Sequence, residues 1–503
     1  MTSEIRSDYY ERGLKLAETG KHQEGLNCIC EHLRTAPHDA EALNDAGAIL
    51  HCLGRTEDAI AYLTRAKHLK AGSGEILWNL AEAYLAGGRA AETAELFDDM
   101  ERMGILNVDL LNRTATTLIN QDKKGPAVEV LLRSYRLWPE QEVLRPILEI
   151  VRSQRPKLAF FRSAAGQDGA LADVCEFVQQ RFQTTFYDGF GPDGIQRLMQ
   201  QCDIGWFDGG GEMVVEATRD GGPCKVIVSL RRSDVREQWA REVRWENVHI
   251  VVQIGSAAVE EALVQQVPDI RNRTRLTVIP NGVNLDRYRF RRRERGKHLA
   301  CVGCLTMETN PAFLLQCMQK LHYVDCQYKL LFAGTFESPM LEQYVRHMVE
   351  TLDLTDVVFF EPYPGDLNAW LEDKHFIVAA GIGESQVKGV LAGMACGLKP
   401  VVHNFPGAEK LFSRQYSFNI AEQFCEQVRS GDYDPEDYRR FIEQHFAVAD
   451  QLDKVNGILA QLESEVAWPT RCAPEPATNT GGLRIADVDG FAVPDTQGVT
   501  HPA

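Results

Sequence analysis

Glu384 stands where the apolar run "HFIVAAGIG" gives way to "ESQVKGVLAGMACGL", a helix-like segment with no further carboxylate. A helix N-terminus attracts anions, so a first turn with one acid and no followers leaves its amides available. A second candidate group is basic. Arg231 and Arg232 in "SLRRSDVREQ" follow the apolar run "CKVIVSL", with Asp234 placed to cap whatever comes next. Either they reach an anion or they form a solvated basic turn. Cys301 and Cys304 in "ACVGCL" have metal-like spacing. No second pair or His cluster accompanies them, so buried strand and loop positions account for them and no metal site is expected.

Stepping outward, 503 residues leave room for about three domains. A formal net charge of -17 argues against a general nucleic-acid binder, whose affinity rests on Lys and Arg. No apolar run reaches the roughly 18 residues a transmembrane helix needs. The polar start "MTSEIRSDYYERG" does not read as a signal peptide. Thirteen scattered Cys fit reduced thiols better than a disulfide framework. The expectation is a cytoplasmic protein.

Residues 1–152 repeat with a period of 34. Gly20, Gly54, Gly88 and Asp122 share one position; Gly13, Gly47, Ala81 and Ala115 share a small one; Leu16, Leu50, Tyr84 and Leu118 share a large one. This pattern resembles tetratricopeptide repeats, an α-solenoid in which small side chains let paired helices cross closely. Such an array presents a concave face, so a protein or peptide partner is expected there.

From Lys157 the pattern changes to short apolar runs alternating with helical stretches. "KLAFF", "TTFY", "DIGWF", "CKVIVSL", "NVHIVVQIG" and "RLTVIPNGV" form one set. "HLACVG", "YKLLFAG", "VVFFEPY", "HFIVAAG" and "KPVVHNF" form another, after the basic "RYRFRRRERGK", which reads as a solvated linker. Two doubly wound parallel sheets in tandem leave a cleft between their carboxyl edges. The expected lobes are 156–292, completed by helix at 436–465, and 297–435; residues 467–503 read as a disordered tail.

"LTVIPNGVNLDRY", followed by "CVGCL" and "GMACGLKPVVHNFPGAEKLF", resembles glycosyltransferase family four, a retaining, metal-independent group with the GT-B fold. The order of motifs matches over about 157–465. The resemblance implies a UDP- or GDP-sugar donor as substrate, no cofactor, and front-face transfer in which the donor phosphate takes the acceptor's proton. Glu384 matches the Glu that contacts the donor sugar. Ser385, Gln386 and Val387 match the turn whose amides face the phosphates, and Tyr363 in "EPYPGD" matches the loop laid against the base. Gly303 belongs to the loop after the second lobe's first strand. Asn281 and Gly282 shape the turn into the linker.

Other positions depart from the family pattern. Cys304 and Thr309 stand where it has Arg and Lys, Ala392 where a second Glu holds the ribose, and Gly383 where some members have His. Losing one preorganised donor at a developing charge costs ~3 kcal/mol. Arg231 and Arg232 are the expected replacement cations, from the opposite wall. Lys388 is another candidate, or simply faces solvent. The first reading is a glycosyltransferase whose repeats present a protein acceptor. The alternative is a catalytically degenerate relative that binds or recruits.

Overall fold

The computed structural model describes residues 3–162, 171–187, 189, 191–231, 234–235, 238–255 and 258–466. Arg232, residues 163–170 and the tail 467–503 lie outside the described residues. The chain divides into two compact units that part between residues 155 and 156.

Among the described residues the regular structure of the first unit is all helix. Its helices are Ser3–Glu18, His22–Thr35, Ala40–Cys52, Thr56–Leu69, Gly74–Ala86, Ala90–Glu95, Phe97–Arg102, Val108–Asn120, Lys124–Leu137 and Leu144–Ser153. Successive helices pack on one another around one apolar core that includes Leu43, Leu63, Leu77, Phe97, Leu111 and Leu131. The period of 34 has a backbone cause. Gly20, Gly54, Gly88 and Asp122 all take positive φ, at 80°, 73°, 69° and 59°, and each ends a helix in the left-handed region. The small positions sit at crossings: a Cβ on Gly25 would stand 2.7 Å from the Gly13 carbonyl, and one on Gly47 would stand 2.5 Å from Leu63 Cγ. Asp39 and Asn107 cap two helices by accepting from first-turn amides.

The second unit holds two six-stranded parallel sheets, the architecture of the GT-B fold. The first comprises β1 (Leu158–Arg162), β2 (Thr184–Phe186), β3 (Ile204–Asp208), β4 (Lys225–Leu230), β5 (Ile250–Ile254) and β6 (Arg275–Ile279), in the order β2-β1-β3-β4-β5-β6. The second comprises β7 (His298–Val302), β8 (Lys329–Ala333), β9 (Val358–Glu361), β10 (Phe376–Ala379), β11 (Lys399–His403) and β12 (Ser417–Phe418), in the order β12-β11-β10-β7-β8-β9. The central strands β1, β3, β4, β5, β7 and β10 are covered on both faces, which is why they read as nearly unbroken apolar runs. In β1, Ala159 and Phe161 enter one core, while Leu158 and Phe160 enter the other.

Two chain crossings join the lobes, and they hold each other. Val283 N donates to the Phe446 carbonyl at 2.8 Å, Val448 N to the Val283 carbonyl at 3.0 Å, and Gln451 Nε2 to the Pro280 carbonyl at 2.7 Å. Helix Pro435–His445 packs in the second lobe through Tyr438 and Ile442. Only helix Val448–Glu465 completes the first, through Val455, Leu459 and Leu462, rather than the whole expected stretch 436–465.

The basic linker is not simply solvated. Arg293 donates to the carbonyls of Leu371, Lys374 and Cys396 at 2.9, 2.6 and 2.7 Å, and Arg295 to that of Val428 at 2.9 Å. These Arg side chains satisfy carbonyls left over where helices end.

Candidate functional site

In the second sheet the strand order reverses between β7 and β10, so the loops after these strands flank a crevice at the carboxyl edge. The loop after β7 begins at Gly303, whose φ is +125°; a Cβ on neighbouring Gly334 would meet the Gly303 carbonyl at 2.0 Å. Cys304 is exposed and donates its thiol to the Thr335 carbonyl at 3.2 Å. Thr309 is only 5% exposed; its hydroxyl accepts from Thr306 N at 2.8 Å and donates to the Thr306 carbonyl. Ile382 N donates to the Glu308 carbonyl at 2.9 Å, tying this loop to the one after β10. Thr309 therefore fastens its own turn.

After β10, residues Glu384–Gln386 make a tight 3-10 turn that leads into helix Val387–Ala395. Ser385 is exposed at the crevice mouth. Gln386 is buried: its Oε1 accepts from Gly381 N at 3.2 Å, and its Nε2 donates to Cys301 Sγ at 3.3 Å. Its side chain braces the turn, and Val387 packs beneath in the core. Ala392, where the family pattern has a second Glu, is 3% exposed and packed in the same apolar core. Tyr363 is exposed, and its ring lies close enough to Tyr288 to help raise that phenol's pKa, after burial.

Glu384 reaches toward the opposite lobe. Its Oε2 lies 3.3 Å from the place a Cβ on Gly255 would take, just beyond β5, and its Oε1 lies 3.8 Å from the equivalent place on Gly407. The cleft narrows here to a carboxylate between two glycines.

Cations occupy both walls. On the first lobe, Arg231 follows β4 and pairs with Asp208 at the end of β3: Nη2 to Oδ1 is 3.2 Å. Asp208 also accepts from Ser229 Oγ at 3.3 Å, and Arg231 N donates to Asp234 Oδ2 at 2.7 Å. On the second lobe, Lys388 does not simply face solvent. It is half-buried, and burial pushes its ammonium down to about 8, with Arg231 adding to the effect and Asp173 and Asp208 opposing it. Lys388, on helix Val387–Ala395, thus lies within electrostatic range of Arg231, Asp173 and Asp208 on the first lobe.

Three participants escaped sequence reasoning. Asp208 directly follows the apolar run "DIGWF" and closes β3. Asp173 holds Asn284 Nδ2 at 3.2 Å and lies 3.9 Å from Arg287. Arg162 ends β1 in register with Asp208 and lies over the Phe186 ring at 4.7 Å. A basic residue closing an apolar strand was the available signal. No group of three or more His, Cys, Asp or Glu gathers as a metal site among the described residues. No described helix is long and apolar enough to cross a membrane.

No protein-family model matches the chain, and no curated protein matches it. Solved structures do. Anabaena HepE in complex with UDP-glucose matches with TM-score 0.50 at 12% identity, covering 61% of this chain and 100% of HepE. A glycosyltransferase from Rickettsia africae matches with TM-score 0.47 at 14% identity, over 61% of this chain and 98% of its own. A Thermobaculum terrenum O-GlcNAc transferase mutant matches with TM-score 0.42 at 12% identity, over 93% of this chain and 100% of its own. What the likeness to HepE establishes is architectural: the described residues from 156 to 466 adopt the two-lobed GT-B fold.

Proposed function

We propose that the second unit is a nucleotide-sugar-dependent glycosyltransferase, with a UDP-sugar as donor. The observation that carries this reading is the pair of cations, Arg231 and Lys388, on facing walls beside the turn opened by Glu384. A departing diphosphate needs its growing negative charge offset, and prearranged cations and turn amides supply that without reorganising. In the transfer, the bond from the anomeric carbon to the phosphate oxygen breaks, and a bond to the acceptor oxygen forms. The acceptor's proton passes to the leaving phosphate. Retention of configuration, independence of metal and a cytoplasmic setting belong to the same proposal. HepE's UDP-glucose complex favours UDP over GDP as the base-carrying half.

The helical unit is proposed as a tetratricopeptide array that receives a protein acceptor or partner. Its support is the left-handed residue every 34 positions.

Thr309, tied into its own turn, and Ala392, packed in the core, favour a second reading: a cleft that binds nucleotide sugars without turning them over. The experiment is to incubate the full chain with UDP-glucose and UDP-N-acetylglucosamine and follow UDP release. Release that K388M abolishes supports the transferase; binding without release supports the second reading.

A further inference from the structure

Asn281, between β6 and the inter-lobe crossing, is 7% exposed. Its side-chain amide is not among the described polar atoms that are buried without a partner, so the little surface the residue keeps includes the amide itself. The Asn281 side chain makes no hydrogen bond among the described residues. Two structural reasons for an Asn here are also missing. Its backbone is not left-handed, because the non-glycine residues with positive φ are Asp122, Asn310 and Asp353 among the described residues. Nor does its side chain close a turn. The crossing is held instead by Val283, Val448 and Gln451 through backbone carbonyls.

The Asn281 amide points at the cleft. A Cβ on Gly255 would stand 2.9 Å from Asn281 Nδ2 and 3.3 Å from Glu384 Oε2. The two polar groups, one from each side of the cleft, therefore converge on the same bare backbone. Together they offer an N–H donor and a carboxylate acceptor, the complement of hydroxyl groups, each of which both accepts and donates.

We propose that Asn281 joins Glu384, which the family resemblance already places on the donor sugar, in holding hydroxyls of the donor's pyranose ring, an inference that rests on the reading of the cleft as a nucleotide-sugar site. Asn281 is thus a positioning residue for the sugar and not for the nucleotide. Its amide donates to one hydroxyl oxygen, and a hydroxyl hydrogen is donated to Glu384. A site built this way penalises a ligand that lacks the hydroxyl more than one that merely fits loosely.

The test is calorimetric titration of the full chain with UDP and with whichever of UDP-glucose and UDP-N-acetylglucosamine binds more tightly, in wild type, N281A and N281S. Melting curves establish folding. The expected result is unchanged UDP affinity and an approximately tenfold loss of the sugar's added affinity in either folded variant. A variant that keeps the wild-type ratio of UDP-sugar to UDP affinity overturns the role of Asn281 and leaves the transferase reading standing. Wild-type protein that binds neither ligand overturns both. Failure of both variants to fold marks Asn281 as structural and also overturns the proposal.

Discussion

Arg231 and Asp208 meet at 3.2 Å across the ends of two neighbouring strands, with the carboxylate almost wholly buried and the guanidinium about one-third exposed. This pairing fixes the cation at the cleft wall and also limits it, because an incoming phosphate competes with Asp208. Removing one partner of such a pair strands the other. R231A should lower stability by about 1–3 kcal/mol, the cost of the orphaned carboxylate, and weaken UDP at least fivefold. D208N,R231A should recover much of the stability and none of the binding. Denaturant melts and calorimetry on the two variants separate these effects.

Lys388 makes UDP binding depend on pH in a definite direction. Its folded pKa, depressed to about 8, means the free protein holds this charge only below that value. A bound diphosphate favours the charged form, so above pH 8 binding must take up a proton. Affinity should then fall by up to about tenfold per pH unit as pH rises from 8 toward the ordinary lysine range, with the nucleotide's own phosphate already fully ionised. K388M should bind at least tenfold more weakly at pH 7 and lose the slope. A slope that survives in K388M assigns the proton elsewhere.

The same depression has the opposite sign for folding. The penalty of burying the ammonium is complete below pH 8 and absent above the unfolded value of 10.5. K388M should accordingly raise the melting temperature at pH 7 by a few degrees, with the gain vanishing near pH 11. A lower melting temperature at pH 7 contradicts this.

Gly334 tests the backbone contact under the crevice. A methyl there would stand 2.0 Å from the Gly303 carbonyl, so G334A must push β7 and β8 apart at their carboxyl ends. The expected cost is about 2–3 kcal/mol, read in chemical denaturation. Asp122 is the converse case. It holds φ +59° where the three earlier repeats have glycine, so D122G should stabilise the helical unit by about 0.5–1 kcal/mol.

The sheets were legible because parallel strands buried on both faces leave unbroken apolar runs. Eleven of the twelve strands overlap the runs picked out in the sequence, β1 and β3 each ending one residue beyond theirs at Arg162 and Asp208, and the exception, β12, has only two residues at a sheet edge. Glu384 was legible because a strand gives way to a turn there. The facing of Lys388 was not, since a helix residue's neighbours across a cleft depend on how two separate sheets close. Thr309 and Ala392 occupy positions where the family pattern has functional side chains. Their own roles, a fastened turn and a packed core, follow from hydrogen bonds and burial that no spacing encodes. The linker's arginines show the same limit. A run of like charges reads as solvated until the carbonyls that Arg293 collects are placed beside it.

Calorimetric titration of the intact chain with UDP at pH 7, in wild type and in K388M, bears most directly on the cleft as a diphosphate site. Saturable one-to-one binding that weakens at least tenfold in a folded K388M is the predicted result. Absence of binding in wild type, or equal affinity in the two proteins, contradicts it.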